Sequence, residues 1–199
     1  IYELNPWAEL EVYDQGITHE NLEKFMEGLD VFIDAMDSIE LKVRARFIAK
    51  EKKIPVLMAT DNGDNVIFDV ERFDTDEGLP IFNGRVEITE AEMANMKTFQ
   101  DWLSLAAKIV GAEAHTPRML ESILELGKSI AGIPQLGSSA SLAGSAASYA
   151  VRKIACGDAL PSGRYDISLD SQMTYDYTTP HEVATREAAL KNFLEKFGK

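Results

Sequence analysis

Asp34 and Asp37 stand three residues apart in "GLDVFIDAMDS", residues 28–38, where a short apolar run stops and a helical pattern begins. Carboxylates at such a junction admit two roles. An Asp or Ser just before a helix accepts hydrogen bonds from its first free backbone N–H groups, so Asp37 or Ser38 can serve as an N-cap. An ionised pair can also hold Mg²⁺, which takes few protein ligands and completes its shell with water and phosphate. Capping accounts for Asp37 but leaves Asp34, one step inside the strand end, without a reason.

The flanking pattern says where these acids must lie. "DVFIDA" reads as a strand, residues 38 to about 52 as a helix, and "IPVLMAT", residues 54–60, as a strand covered on both faces. Strand, helix and strand within about thirty residues form a βαβ unit with parallel strands and a right-handed crossover. The two aspartates then sit at the carboxyl edge of a parallel sheet, where open α/β sheets bind ligands.

The rest of the chain frames that unit. "AELEVY", residues 8–13, alternates as a half-buried strand does, and Thr18 is placed to cap a helix carrying Leu22, Phe25, Met26 and Leu29. "NVIFDVERF" predicts one or two further strands, and "TDEGLPIFNG" a loop. Thr89 and Glu92 have capping-box spacing, predicting a helix to about Val110 closed by Gly111. Thr116 and Pro117 start a second helix. Residues 137–148 are almost wholly Gly, Ala and Ser, then continue through Tyr149, Val151 and Ile154 as an ordinary amphipathic helix ending at Gly157. A small-residue helix lets neighbouring backbone approach, and its serines can bond to their own turn. "SGRYDISLD" is a late strand, and residues 180–199 a charged amphipathic helix.

Composition narrows the classes. A formal net charge of −13 argues against nucleic-acid binding through a basic surface. No apolar run approaches the ~20 residues of a membrane span. Cys156 is the single cysteine, which rules out an intrachain disulfide and a four-cysteine zinc site and suits a reducing cytoplasm. Near the end of an apolar helix, it reads as a small core residue. His19, His115 and His181 have no G-x-S-x-G partner and read as surface or capping residues. There is neither a G-x-x-x-x-G-K-[ST] loop nor a G-x-G-x-x-G after a strand.

These residues bear a resemblance. Asn5-Pro6, Thr18 to Asn21, Asp30, Asp34-Ala35-Met36-Asp37 and Ile54-Pro55-Val56 follow the order of the second half of the adenylating domain in the ThiF/MoeB/HesA superfamily, relatives of ubiquitin-activating enzymes. "PQLGSSASLAGSAASYAVRKIACGD" resembles the superfamily's small-residue helix, and "DVERFDTDEGLPIFNG" resembles a bacterial subgroup fused to a nitroreductase-like domain. The resemblance implies an α/β, Rossmann-like three-layer fold with a mixed sheet and helices on both faces. It implies that residues 1–175 are the carboxyl half of such a domain and that 176–199 form a terminal helix or linker toward a further domain.

It also implies an ATP·Mg²⁺ site in which Asp37 holds the metal on the nucleotide phosphates and Asp34 lies against the cofactor. The activity implied is adenylation of a carboxylate, either the C-terminus of a ubiquitin-like or sulfur-carrier protein or a small acid, by a homodimer in the cytoplasm. Ser38 replaces the superfamily's usual Asn. Its Gly-rich loop, ribose-binding acid and catalytic Arg and Lys lie upstream of Asn-Pro, so the fragment alone is expected to be inactive. The alternatives are a non-catalytic binding or dimerisation module, with a nitroreductase-like flavin domain as a partner it could take, and a methyltransferase-like or nicotinamide-binding Rossmann domain.

Overall fold

A computed structural model describes residues 1–197. Helix α1 is Leu22–Phe25, strand β1 Phe32–Asp34, helix α2 Ile39–Lys52, β2 Val56–Asn62 and β3 Asn65–Glu71. Helices α3 (Glu90–Asn95), α4 (Phe99–Val110), α5 (Pro117–Glu125) and α6 (Gly137–Ala155) follow. Strand β4 (Gly163–Ile167), α7 (Leu169–Met173) and α8 (Pro180–Lys196) complete the order.

The strands make one sheet in the order β1-β2-β3-β4. β1 and β2 are parallel, as the βαβ pattern requires, whereas β3 pairs antiparallel with both β2 and β4. The β2–β3 reversal is the tight turn Asn62-Gly63-Asp64-Asn65, and Gly63 takes a φ of 67° there, which a side chain would resist. The sheet is therefore mixed.

Side chains of paired residues share a face, so the register assigns the two cores. Phe32, Val56 and Met58 face α2, where they join Val43, Ala45 and Ala49 in the larger core. Leu57, Phe68 and Val70 face the other way and pack beneath α6 with Ala146, Ala150, Val151 and Ile154. This is helix, sheet, helix: the three-layer α/β arrangement expected. In α6 the hydroxyls of Ser141, Ser145 and Ser148 donate to the carbonyls of Gly137, Ser141 and Gly144 at 2.8–2.9 Å, so the small-residue helix satisfies its own polar groups.

Local signals hold where capping chemistry is explicit. Ser38 Oγ accepts from the Leu41 N–H at 3.3 Å and starts α2, Thr116 caps α5, and Thr179 caps α8. Thr89 and Glu92 form their capping box, but the helix they start ends at Asn95. A second capping box, Thr98 with Asp101, begins α4, so the single helix expected to Val110 is two. Two corrections concern the N-terminal arm. Residues 8–13 form no strand, and Val12 is 76% exposed, because no described strand pairs with them to bond their backbone. Thr18 does not cap α1; Asn21 is its N-cap residue, and the Asn21 Oδ1 accepts from the Thr18 N–H at 2.7 Å. "NVIFDVERF" supplies one strand, and "SGRYDISLD" ends in α7 as well as β4.

Arg164 ties the far edge to the helical layer. Its guanidinium grips buried Asp69 through Nε (2.8 Å) and a second nitrogen (2.7 Å), and also donates to the carbonyls of Ile109 and Val110 at the end of α4. A cation on the last carbonyls of a helix complements its dipole. The mixed sheet and its α6 cover set the first test. Leu57→Ala, at a fully buried position, is expected to destabilise by about 2–5 kcal/mol and Thr98→Ala by about 1 kcal/mol. Urea midpoints of the two variants check the order; a smaller loss for Leu57→Ala would contradict the packing of α6 on β2.

Candidate functional site at the carboxyl edge of the parallel strands

The carboxyl ends of β1 and β2 open into a cavity of about 590 Å³ bounded by the sheet, the start of α2 and the small-residue face of α6. Asp34, Asp37, Lys42 and Asp61 all line it, as does Gln135. The βαβ unit thus brings the two sequence-selected aspartates to one cavity, but gives them different surroundings.

Asp34 points to the α2 side of the sheet, opposite Met58 in register, and is 1% exposed. Its Oδ1 accepts from Lys42 Nζ at 2.9 Å and from the Met36 N–H at 3.1 Å, and its Oδ2 accepts from Arg46. Burial pushes this carboxyl up, but Arg46 and Lys42 outweigh it and hold Asp34 below the usual carboxylate range. Asp34 is the anchor of an ion-pair network.

Arg46 is the centre of that network, with no exposed side-chain surface. Its Nε donates to Glu71 at 3.0 Å, one terminal nitrogen to Asp34 and the Lys42 carbonyl, and the other lies 3.3 Å from Met58 Sδ. The Phe82 ring lies 4.2 Å below the guanidinium, and the Phe82 N–H donates to the second Glu71 oxygen at 2.5 Å. Phe82 and Asn83 have φ of 50° and 53°, a left-handed turn kept in place by these contacts. Burial raises Glu71 above its ordinary value, Arg46 opposing.

Asp37 is exposed, and no hydrogen bond or ion pair among the described residues takes its carboxylate. Capping of α2 is done by Ser38, so the structure separates the two roles the sequence left open for this pair of positions. Among the described residues no cluster of three or more His, Cys, Asp or Glu could cage a metal. A single open carboxylate fits a hard cation that keeps water and phosphate as its other ligands, which is how Mg²⁺ binds. Asp34 does not fit that description, since its oxygens are occupied by Lys42, Arg46 and Met36.

The remaining candidates lie elsewhere. His19 sits on the surface between Glu40 (3.2 Å) and Arg44 (3.3 Å). His115 is half-buried on the Gly111 carbonyl, and burial draws its imidazole pKa down. His181 lies in the first turn of α8. Cys156, expected in the core, is exposed at the end of α6. Lys42, Arg46 and Asp61 were missed by the sequence reading. The signal for Arg46 was its place on the apolar face of α2, between Val43 and Ala49.

The ThiF family model matches residues 1–64. That ThiF-like stretch runs from the N-terminal arm through β1, α2 and β2, and so contains Asp34, Asp37, Lys42, Arg46 and Asp61. The chain is also 32% identical over 173 residues to an uncharacterized protein of Mycobacterium tuberculosis, an alignment covering 87% of this chain. It spans 24% of that relative's length. No solved structure matches. No helix among the described residues is long and apolar enough to cross a membrane.

The network sets the second test. Arg46→Met leaves Glu71 buried without its cation and Asp34 with Lys42 alone, so it is expected to cost about 3–5 kcal/mol at neutral pH. Glu71, whose pKa burial already raises, loses the cation that opposes that rise. As pH falls through its raised value the folded state gains a proton the unfolded state does not, so the loss shrinks. In the parent, Asp34 has a lowered folded pKa, and its contribution is lost as pH falls through that value. Urea denaturation from pH 7 down to about pH 3, below the ordinary carboxylate range, checks both signs; a loss that grew on acidification of the variant would overturn the assignment.

Proposed function

We propose that this chain forms the substrate-side part of an ATP-dependent adenylating site that activates a carboxylate, with Asp37 as the residue that meets Mg²⁺ on the nucleotide phosphates. The observation that carries the reading is Asp37 itself: an open, unpaired carboxylate in a cavity at the carboxyl edge of a parallel βαβ unit, inside the ThiF-like stretch. A carboxylate is a poor electrophile, and Mg²⁺·ATP when bound supplies the adenylyl group that turns it into one.

The chain's own residues do the positioning. Ser38 caps α2 and so fixes the backbone beside Asp37. Asp34, locked to Arg46 and Lys42, holds the strand end rigid and acts on the cofactor only through that support. Asp37 and Asp61 make the cavity unfavourable for a bare phosphate, so a nucleotide enters with its cation. Its phosphate and ribose contacts are supplied by residues outside this chain, in a longer protein of the relative's kind, where a nitroreductase-type flavin domain is one candidate companion. A homodimeric, cytoplasmic enzyme is the assembly this reading favours.

In the longer protein that carries this chain, Asp37→Ala is expected to lower carboxylate-dependent ATP–pyrophosphate exchange by about 10²-fold. Asp37→Glu should recover part of it. Exchange at the parent rate in Asp37→Ala would remove Asp37 from the site.

A further inference from the structure

The same cavity carries information about what is activated. About 590 Å³ lies in the range of small-molecule sites, ~300–1,000 Å³, which bury most of a compact ligand. Its walls divide by chemistry. Ile33, 49% exposed on β1, and the half-buried Ala59 on β2 form its apolar floor over the buried Leu57 and Phe68, and α6 faces them with Ala143 and Gly144. At the α2 end stands Lys42, the single cation among the described lining residues. Its side chain is 14% exposed, and its ammonium makes one hydrogen bond to a side chain, to Asp34. An ammonium has three donors, so Lys42 keeps capacity for a second anion.

We infer that the cavity binds a small apolar carboxylic acid, its carboxylate on Lys42 and its hydrocarbon part along the slot between Ile33, Ala59 and α6. This rests on the proposed carboxylate activation and names its substrate class. A glycine-rich protein tail would present backbone amides to an apolar wall and leave them unsatisfied, at a cost comparable to a lost hydrogen bond each. A hydrocarbon chain meets no such penalty. The acids facing Lys42 oppose the binding: Asp37 at the start of α2 and Asp61 at the end of β2 both line the cavity, while Asp34 is already neutralised by Arg46. The apolar wall and Lys42 must therefore act together.

Gly144 offers a clean probe. A Cβ added there meets nothing within 4 Å, and a larger residue in a helix improves its propensity, so Gly144→Leu fills the slot without straining the fold. Sodium octanoate is titrated calorimetrically into the 199-residue chain, with 1-octanol and a peptide ending in Gly-Gly as comparisons. The expected result is saturable one-to-one octanoate binding, weakened about tenfold in Lys42→Met and in Gly144→Leu. Asp61→Asn should tighten it about two- to fivefold. 1-Octanol should be insensitive to Lys42→Met, and the peptide should not bind.

No saturable octanoate binding, or binding indifferent to Gly144→Leu, overturns the inference; should Lys42→Met not fold, Gly144→Leu and Asp61→Asn decide. The two readings fail separately. Octanoate binding with this mutational pattern but no octanoate-dependent pyrophosphate exchange in the longer protein leaves the slot standing and removes the adenylation. Exchange supported by the peptide alone does the reverse.

Discussion

A guanidinium buried with no exposed surface must be neutralised and hydrogen-bonded from several sides, and that requirement organises the parallel half of this protein. Removing one such ion from water costs several kcal/mol even after relaxation. Arg46 meets that cost with Asp34 from β1, Glu71 from β3, the Lys42 carbonyl one turn back on its own helix, and the Phe82 ring below. Each partner comes from a different part of the chain. The network therefore fixes the angle of α2 on the sheet and the left-handed turn at Phe82 and Asn83 in one step. Apolar packing alone would hold α2 against Val56 and Met58 with less directional control.

That constraint divides the two aspartates. Period-two geometry turns Asp34 toward α2, where Arg46 waits, and the chain leaves the sheet at Ala35. Asp37 falls beyond the strand, ahead of the Ser38 cap, where neither sheet nor helix uses its oxygens. A rigid inner acid thus supports an open outer one. Lys42 belongs to both sets: it closes the network through Asp34 and lines the cavity beside Asp37. Charge held in the core is what sets the geometry at the edge.

Much of this was legible in the residues. The parallel βαβ unit followed from two apolar runs around an amphipathic stretch, and the caps at Ser38, Thr89 and Thr116 from short-range hydrogen-bonding chemistry. Other features depended on partners that a local pattern does not name. Alternation at residues 8–13 describes a surface suited to a sheet, yet a strand exists only where another backbone bonds to it. The break before Thr98 was signalled by a second Thr-x-x-Asp three residues ahead of an apolar run, but the helical periodicity on both sides masked it. The place of Arg46 on the apolar face of α2 hints at burial, but nothing in α2 names Glu71, twenty-five residues on, as the partner that lies against it. Asn62 was equally silent: its amide bonds Ala114 and Thr116, joining the end of β2 to the start of α5.

The acidity of the chain bears on the site in a way the net charge alone conceals. At physiological ionic strength charges more than about 8 Å apart on the surface are largely screened, so most of the −13 is invisible inside the cavity. What an entering ligand feels is local: Asp37 and Asp61 unneutralised, Asp34 matched by Arg46, and Lys42 shared between Asp34 and the cavity. That balance is negative, and it changes with whatever binds first. A divalent cation at Asp37 would reverse the sign seen by a carboxylate or phosphate arriving next to Lys42. Coupling of that kind makes binding of a cation favour binding of an anion, and it needs no conformational change, because Asp34 already holds the Lys42 ammonium and the Ser38 cap holds the backbone beside Asp37.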